Sequence, residues 1–516
     1  MPDRPNVILI YGDDLGRGML SCYGQKHFST PNIDKLSADG IKFNYAYGCH
    51  MCAPARASLL TGIHDCHSGR WTFTKGNTYI DYAKGLVPLE DVYELIHNTG
   101  IEQRSEDIFL PMIFTRAGYV TGQIGKLEWG FSTTGDEIKK HGWDYHYGYY
   151  DHGMCHGYYP PFLFEDGKRI DIPGNTDPCC GRGYYSFKDP NYTQYHNDRS
   201  DKKVYSQDLF DQKIVDFISE NKNRPFFLYH PTQLPHLALS VPEIDARVKD
   251  HPVLNASEKE YASMMLRLDK TVGLIRDTLS ANGLLENTMI VFTVDNGHCF
   301  YYGEERNGCR LYYDKEDRYI DHFNIRYTTE AVGDIFDGNN GFTGCKLTSL
   351  EGGTRVPLII SWPGHVPADN VTNAMVSNYD FMATVSELTG ISAGLNKDGV
   401  SYLPVITGNG KQFKGHEYIV FACEHGPALI SKDGWKVRCY IKEGYKYGVF
   451  GSDWNQVCDN VVFELFNVFD DPIEKKNLAT EHPDILKRLC KQLIKECDGN
   501  VIHGTTQPHF AFYHTS

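Results

Sequence analysis

Apolar and polar positions fall into blocks along this chain. Unbroken apolar runs that end in carboxylates or amides are separated by stretches with helical spacing. The first run, Asn6–Asp14 (NVILIYGDD), has the composition of a parallel strand buried on both faces, and it delivers Asp13 and Asp14 at its carboxyl end. Thr30–Gly40 (TPNIDKLSADG) predicts a helix capped by Thr30, with Pro31 in the first turn and Gly40 as its stop. A second helix is predicted from a Ser105 cap to Gly118, with Pro111 inside it as a kink, and then a strand leading to Lys126. Arg224–His236 reads as another buried strand followed by polar groups. Ser257–Gly297 predicts a long amphipathic helix stopped at Gly283, then a strand ending in Asp295-Asn296-Gly297. Thr354–Gly364 adds a further strand.

This alternation predicts an α/β fold class: a mostly parallel sheet covered by helices on both faces. In such folds ligands sit beyond the carboxyl ends of the strands. Asp13, Asp14, Lys126, His236, Asp295 and Asn296 all fall at predicted strand ends. Past residue 405 or so the texture changes. His416–Ile441 and Val461–Pro472 read as antiparallel strands with turns, and His482–Gly499 as an amphipathic helix. The predicted organisation is a larger α/β domain over residues 1–405 and a smaller C-terminal α+β domain, with an antiparallel sheet, over 406–516.

Charge and cysteine usage narrow the possible partners. With 516 residues and a net charge of −15, the chain offers no broad basic surface to nucleic acid or anionic lipid. An anionic substrate would need a local basic pocket. No apolar run approaches a membrane span, and the start enters a strand with no basic n-region. The expected location is cytoplasmic; periplasmic or secreted is the alternative if a leader preceded residue 1. The 15 cysteines are scattered, with a lone CxxC at Cys49 and Cys52, which predicts mostly free thiols in a reducing compartment.

The candidate chemistry starts with the acids. Asp13, Asp14, Asp295 and Asn296 supply hard oxygen donors, which suit Ca²⁺ or Mg²⁺ better than zinc. Either pair alone would read as turn residues; two pairs closing buried strands point to a metal. Arg56, Lys126 and Lys346 have the charge to hold a tetrahedral oxyanion, and His236 stands where a proton donor to a leaving oxygen would stand. The stretch Cys49–Gly62 (CHMCAPARASLLTG) puts Cys52 at the start of a helix, where backbone amides and the dipole favour an anion. The competing reading of Cys52 is a small buried hydrophobe.

Cys52-Ala53-Pro54-Ala55-Arg56 followed by ASLLTG is similar to the C-x-P-x-R signature of formylglycine-dependent (type I) sulfatases of the alkaline-phosphatase superfamily. YGDDLGRG, Gly125-Lys126, Pro235-His236, FTVDNG and Lys346 ahead of EGGTRVPLI resemble the other motifs of that family, in order. The resemblance implies that a maturase converts Cys52 to formylglycine, whose hydrate is the nucleophile. It implies a Ca²⁺ (Mg²⁺ the alternative) held by Asp13, Asp14, Asp295, Asn296 and the group at position 52. Arg56 would steady the formylglycine, Lys126 and Lys346 would hold sulfate oxygens, and His236 would contact the sulfate or protonate the leaving group. The implied reaction is exo-acting hydrolysis of a sulfate ester, on a sulfated sugar or another small ester, without nucleic-acid or membrane partners. A phosphonate monoester hydrolase or phosphodiesterase of the same superfamily is the alternative; a non-catalytic binder of sulfated glycans is a third reading.

Three segments remain open at this stage. Glu128 stands where many family members have a histidine (G-K-x-H), and reads as a substitute base, a sugar contact or a side chain pointing away. The Tyr- and His-rich run Gly142–Arg169 suggests either rings stacked on a sugar or surface packing. The long insertion between Asn296 and Lys346 is predicted to wall the pocket. His503, His509 and His514 lack metal-type spacing and read as incidental.

Overall fold

The computed structural model describes residues 4–68, 75–99, 107–128, 130–182, 198–300, 302, 328–423, 426–441 and 461–505. Its strands are β1 (Asn6–Gly12), β2 (Gly40–Tyr47), β3 (Val120–Gly125), β4 (Tyr145–Gly148), β5 (Phe162–Glu165), β6 (Lys168–Asp171), β7 (Phe226–Pro231), β8 (Thr288–Val294), β9 (Leu358–Ser361) and β10 (Asn370–Ser377). These ten form one sheet in the order β10-β2-β9-β8-β1-β7-β3-β4-β5-β6. The centre, β8-β1-β7-β3, is wholly parallel. β1, β7 and β8 are buried along their whole length, as an unbroken apolar run requires when helices cover both faces. β9 runs antiparallel to both of its neighbours, and β5 and β6 close the far edge as a hairpin.

One face carries helices α1 (Pro31–Ala38), α4 (Ser206–Glu220) and α5 (Ala256–Ala281). The other carries α2 (Cys52–Thr61), α3 (Leu110–Arg116) and α6 (Asp380–Thr389). Two local expectations change. Helix α3 begins at Leu110, so Pro111 lies in the first turn, where its missing N–H costs nothing, and makes no internal kink; Ser105 falls outside the described residues. Thr30 does occupy the N-cap of α1 but makes no side-chain cap bond. Asp269 of α5 caps it instead: Oδ1 accepts the Asn32 and Ile33 amides, each at 2.9 Å. That bond joins two helices on one face, which no local pattern reveals.

A second sheet, wholly antiparallel, runs β11 (Tyr418–Phe421), β12 (Ala428–Ser431), β13 (Trp435–Ile441) and β14 (Val461–Asn467). Helix α7 (Pro483–Glu496) packs on it through Leu489, Cys490, Leu493 and Ile494. The two layers share buried charge. Lys436 of β13 lies 3.0 Å from Glu351 and 2.9 Å from Glu474, all three fully buried. The described cysteines are free thiols.

Candidate active site

The four central parallel strands aim their carboxyl ends at one point. Asp13 and Asp14 follow β1, Asp295 and Asn296 follow β8, Lys126 follows β3, and His236 lies five residues beyond β7. Cys52 opens α2, after a short turn from β2 whose Cys49 amide donates to the Asp295 carbonyl at 3.1 Å. Lys346 comes from the loop before β9. Its amide donates to the His298 carbonyl at 3.0 Å, and the Leu347 amide to the His50 carbonyl at 2.8 Å. Gly297 permits this convergence, because a Cβ there would stand 1.8 Å from the Gly352 carbonyl oxygen of the same loop. All nine residues singled out in the sequence meet here, buried to 7 % exposure or less.

Their contacts form one network. Lys126 Nζ pairs with Asp13 Oδ2, and Arg56 Nη2 lies 3.1 Å from Asp295 Oδ2 and 3.7 Å from Asp13 Oδ2. Lys346 Nζ is 2.8 Å and His236 Nε2 3.4 Å from Asp14 Oδ2. Asn296 Nδ2 donates to Asp14 Oδ1 at 2.8 Å, and Asp295 Oδ1 accepts the Asp14 and Asn296 amides. Asp14 holds φ at +60°, a strained value for a non-glycine residue, which belongs to a site rather than to a turn. Ligand atoms of Asp13, Cys52 and Asp295 all lie within 4.8 Å of one another, as do those of Asp13, Asp14 and His236.

The donor set fits a hard divalent cation. Two buried oxygens, Asp13 Oδ1 and Asn296 Oδ1, have no hydrogen-bond partner, which costs free energy unless an ion supplies one. Burial would raise the Asp13 carboxyl, but Lys126, His236, Arg56 and Lys346 outweigh it and hold it well below the ordinary range. Asp295 goes the other way, raised by burial and then by the neighbouring Asp13 charge. Burial pushes the Cys52 thiol up despite Lys126 and Lys346. A cysteine used as a thiolate needs the opposite shift, so Cys52 is a poor nucleophile as it stands.

Sequence reasoning missed one residue. His152 Nε2 is 3.6 Å from Cys52 Sγ, and the His152 ring begins a chain of imidazoles. It meets His156 edge-on at 4.5 Å, and His156 stacks on His236 at 4.1 Å. The only signal was the spacing H-G-M-C-H within a run read for its tyrosines. Those tyrosines are a correction. Tyr147, Tyr149, Tyr150, Tyr158 and Tyr159 are 3 % exposed or less and pack on Phe164, Tyr205 and Phe210, so they build the core rather than a sugar platform. Burying large rings beneath a hairpin edge outweighs leaving them in a loop.

Glu128 points away from the pocket. Its Oε1 lies 2.6 Å from His141 Nδ1, and its Oε2 accepts from Trp143 Nε1 at 2.9 Å. Burial would depress the His141 ring, but the Glu128 carboxylate outweighs it and raises its pKa. Glu128→Gln is therefore expected to leave turnover essentially unchanged and to cost about 1–3 kcal/mol of stability, read by kinetics beside a thermal melt. Of the insertion before Lys346, residues 301 and 303–327 lie outside the described residues, as do His509 and His514.

A sheet that delivers acids, cations and a helix-start cysteine to one buried point defines a hydrolase for an anionic ester. The family model described as Sulfatase matches residues 5–391, and one described as N-sulphoglucosamine sulphohydrolase, C-terminal, matches 342–498. The chain belongs to the sulfatase family, the formylglycine-dependent branch of the alkaline-phosphatase superfamily, and is a sulfuric ester hydrolase. It is 26 % identical to the N-acetylgalactosamine-6-O-sulfatase of Bacteroides thetaiotaomicron, over 95 % of this chain and 92 % of that one. It is 28 % identical to human N-acetylgalactosamine-6-sulfatase, over 78 % and 66 % of the two chains. Among solved structures, a Bacteroides thetaiotaomicron 6S-sulf protein from work on glycosaminoglycan metabolism superposes with a TM-score of 0.67 at 22 % identity, covering 96 % of this chain and 99 % of that one. A second, Ps i-CgsB in complex with k-i-k-neocarrahexaose, also has a TM-score of 0.67, at 23 % identity over 98 % and 95 % of the two chains.

Proposed function

We propose that this enzyme removes sulfate from a sulfated carbohydrate, acting at the end of a glycan, through a formylglycine made from Cys52 and a bound Ca²⁺. The observation that carries this reading is the placement of Cys52 Sγ within 4.8 Å of the Asp13 and Asp295 carboxylates. The sugar is supported by the relatives, since the two named sulfatases act on N-acetylgalactosamine sulfates.

Asp13, Asp14, Asp295 and Asn296 would hold the Ca²⁺, which when bound polarises a sulfate oxygen and acidifies a nearby hydroxyl. Formylglycine would supply a hydrated aldehyde, with one hydroxyl to attack sulfur and a second whose deprotonation lets the aldehyde reform. The chain's own residues do the rest. Lys126 and Lys346, each raised from the ordinary lysine value by the Asp charges that outweigh burial, stay protonated and supply fixed positive charge to the sulfate oxygens. Arg56 locks Asp295 and Asp13 in place and packs over the Tyr11 ring at 5.3 Å. Three carboxylates oppose three cations here, so a dication leaves the pocket net positive. That is how an acidic protein captures an anion.

Two histidines divide the proton handling. The Leu237 carbonyl can only accept, so His236 Nδ1 donates to it at 2.5 Å, and the free ring nitrogen turned to the pocket is Nε2. Burial pushes the His236 ring down to about 4 against the pull of Asp14 and Asp13, so it is neutral at physiological pH until substrate charge arrives. His152 faces the group at position 52 from the other side and is placed to take a proton from it. His152→Ala is expected to lower kcat by about 10²–10⁴ with little change in KM. Release of the first equivalent of alcohol should stay fast while sulfate release slows, as rapid-quench kinetics would read.

The test of the reading is a screen of monosaccharides sulfated at single positions, run beside an aryl sulfate and an aryl phosphodiester. A singly sulfated sugar should turn over fastest, with Ca²⁺ restoring chelated enzyme. Faster turnover of the diester would overturn it, as would an active enzyme whose Cys52 peptide carries only unmodified thiol by mass.

A further inference from the structure

Beyond α2 the chain turns back through His64, Cys66 and His67, and two distant segments bring carboxylates to the same place. Asp398 comes from the loop after α6, and Glu496 and Asp498 from the end of α7. The His64 and His67 rings stack face to face, 4.0 Å apart and 9° from parallel. His64 is 3 % exposed, and its Nε2 makes no hydrogen bond. That atom instead faces Glu496 Oε2 at 3.6 Å and Asp398 Oδ2 at 3.9 Å, too far for a proton to bridge well. His67 Nε2 lies 3.1 Å from the same Asp398 oxygen. Two ligands bound tetrahedrally at about 2.1 Å stand about 3.4 Å apart, and the three spacings bracket that value.

We propose that His64, His67, Asp398 and Glu496 form a second metal site, for Zn²⁺ or a similar borderline ion, that staples the C-terminal helix to the helix bearing Cys52. Two imidazoles with two carboxylates suit zinc, unlike the all-oxygen donors of the catalytic pocket. A dication also balances the two carboxylates, whose cationic partners among the described residues are the same two imidazoles. Supporting contacts are in place. Asp498 lies 3.2 Å from His67 Nδ1, which orients the ring for ligation through Nε2, and Asp498 in turn accepts from the Ser68 amide and hydroxyl at 2.8 and 3.0 Å. The Cys66 amide donates to His64 Nδ1 at 3.3 Å, which puts the His64 ring proton on Nε2. Loading moves that proton to Nδ1 and gives up this one long bond, a small loss beside two neutralised carboxylates. The site is independent of the sulfatase chemistry and serves to join the layers.

The full chain, stripped by chelator and then saturated with Ca²⁺, is titrated with Zn²⁺ and, separately, with Co²⁺. One Zn²⁺ per chain should bind by elemental analysis and raise the thermal midpoint. Co²⁺ should give a tetrahedral visible spectrum with no near-ultraviolet thiolate band. His67→Gln and Glu496→Gln should each weaken Zn²⁺ at least about 10-fold while Ca²⁺-supported sulfatase turnover stays unchanged. Absence of the Zn²⁺ equivalent, or its undiminished binding in both variants, would overturn the site. A thiolate band would assign the ion to Cys66 and Cys497 instead, and the unsubstituted chain reports this whether or not the variants fold.

Discussion

Cys52→Ala is expected to yield a folded enzyme whose turnover is lower by about 10⁶, the scale on which loss of a nucleophile registers. The fold survives because the change deletes a single sulfur from a buried helix start. A void of that size costs about 1 kcal/mol, and α2 keeps Pro54 in its first turn and the left-handed Gly62 at its C-cap. The network of Asp13, Lys126, Arg56 and Asp295 does not pass through Sγ, so the carboxylates stay where they are. Cys52→Ser separates the chemistry from the geometry. Serine offers one hydroxyl and no carbonyl to return to, so at most one alcohol should be released per chain. Sustained turnover by either variant would show that the reacting group lies elsewhere. A thermal melt run alongside guards against loss of fold.

The site was legible because parallel strands do half of the assembly. Any residue just past β8, β1, β7 or β3 must arrive at the same edge, so Asp295, Asp13, His236 and Lys126 converge by topology alone. Cys52 and Arg56 were legible through their motif rather than through any pattern of burial. What stayed hidden depends on packing between distant segments. β2, whose pattern mixes half-exposed and buried positions, gave no clean apolar run, and neither did β10, solvated along its first half. His152 was invisible because its meaning lies in a 3.6 Å approach to a residue one hundred positions earlier. Glu128 shows the converse. Its place in the motif suggested chemistry, but Trp143 and His141 offer donors on the side away from the pocket, and a buried carboxylate goes where donors are. The tyrosines erred in the same direction, since a ring that can be buried is worth more inside than displayed.

Asp295→Asn is expected to empty the pocket of its divalent ion and to lower turnover by about 10²–10⁴. The amide oxygen still accepts from the Asp14 and Asn296 backbone N–H groups, which hold the end of β8 against β1. What is lost is charge and one face of the side chain. The new NH₂ lies against Arg56 Nη2, 3.1 Å from where a carboxylate oxygen now sits, so two donors face each other at a fully buried point. Breaking a buried pair on one side costs about 3–5 kcal/mol, which a large core absorbs and a thermal melt will register. The pH dependence of metal uptake supplies a check that stability alone cannot imitate. Burial, with Asp13 beside it, raises the Asp295 carboxyl in the metal-free chain, so loading the ion must expel a proton. Affinity for Ca²⁺ should therefore strengthen as pH rises in the parent enzyme and respond less in the variant, which has no proton to lose there. Calorimetry in two buffers of different ionisation enthalpy reads that proton directly. Ca²⁺-dependent turnover in the variant with the same proton release would place the ion away from Asp295, and the arrangement of ligands around it would have to be redrawn.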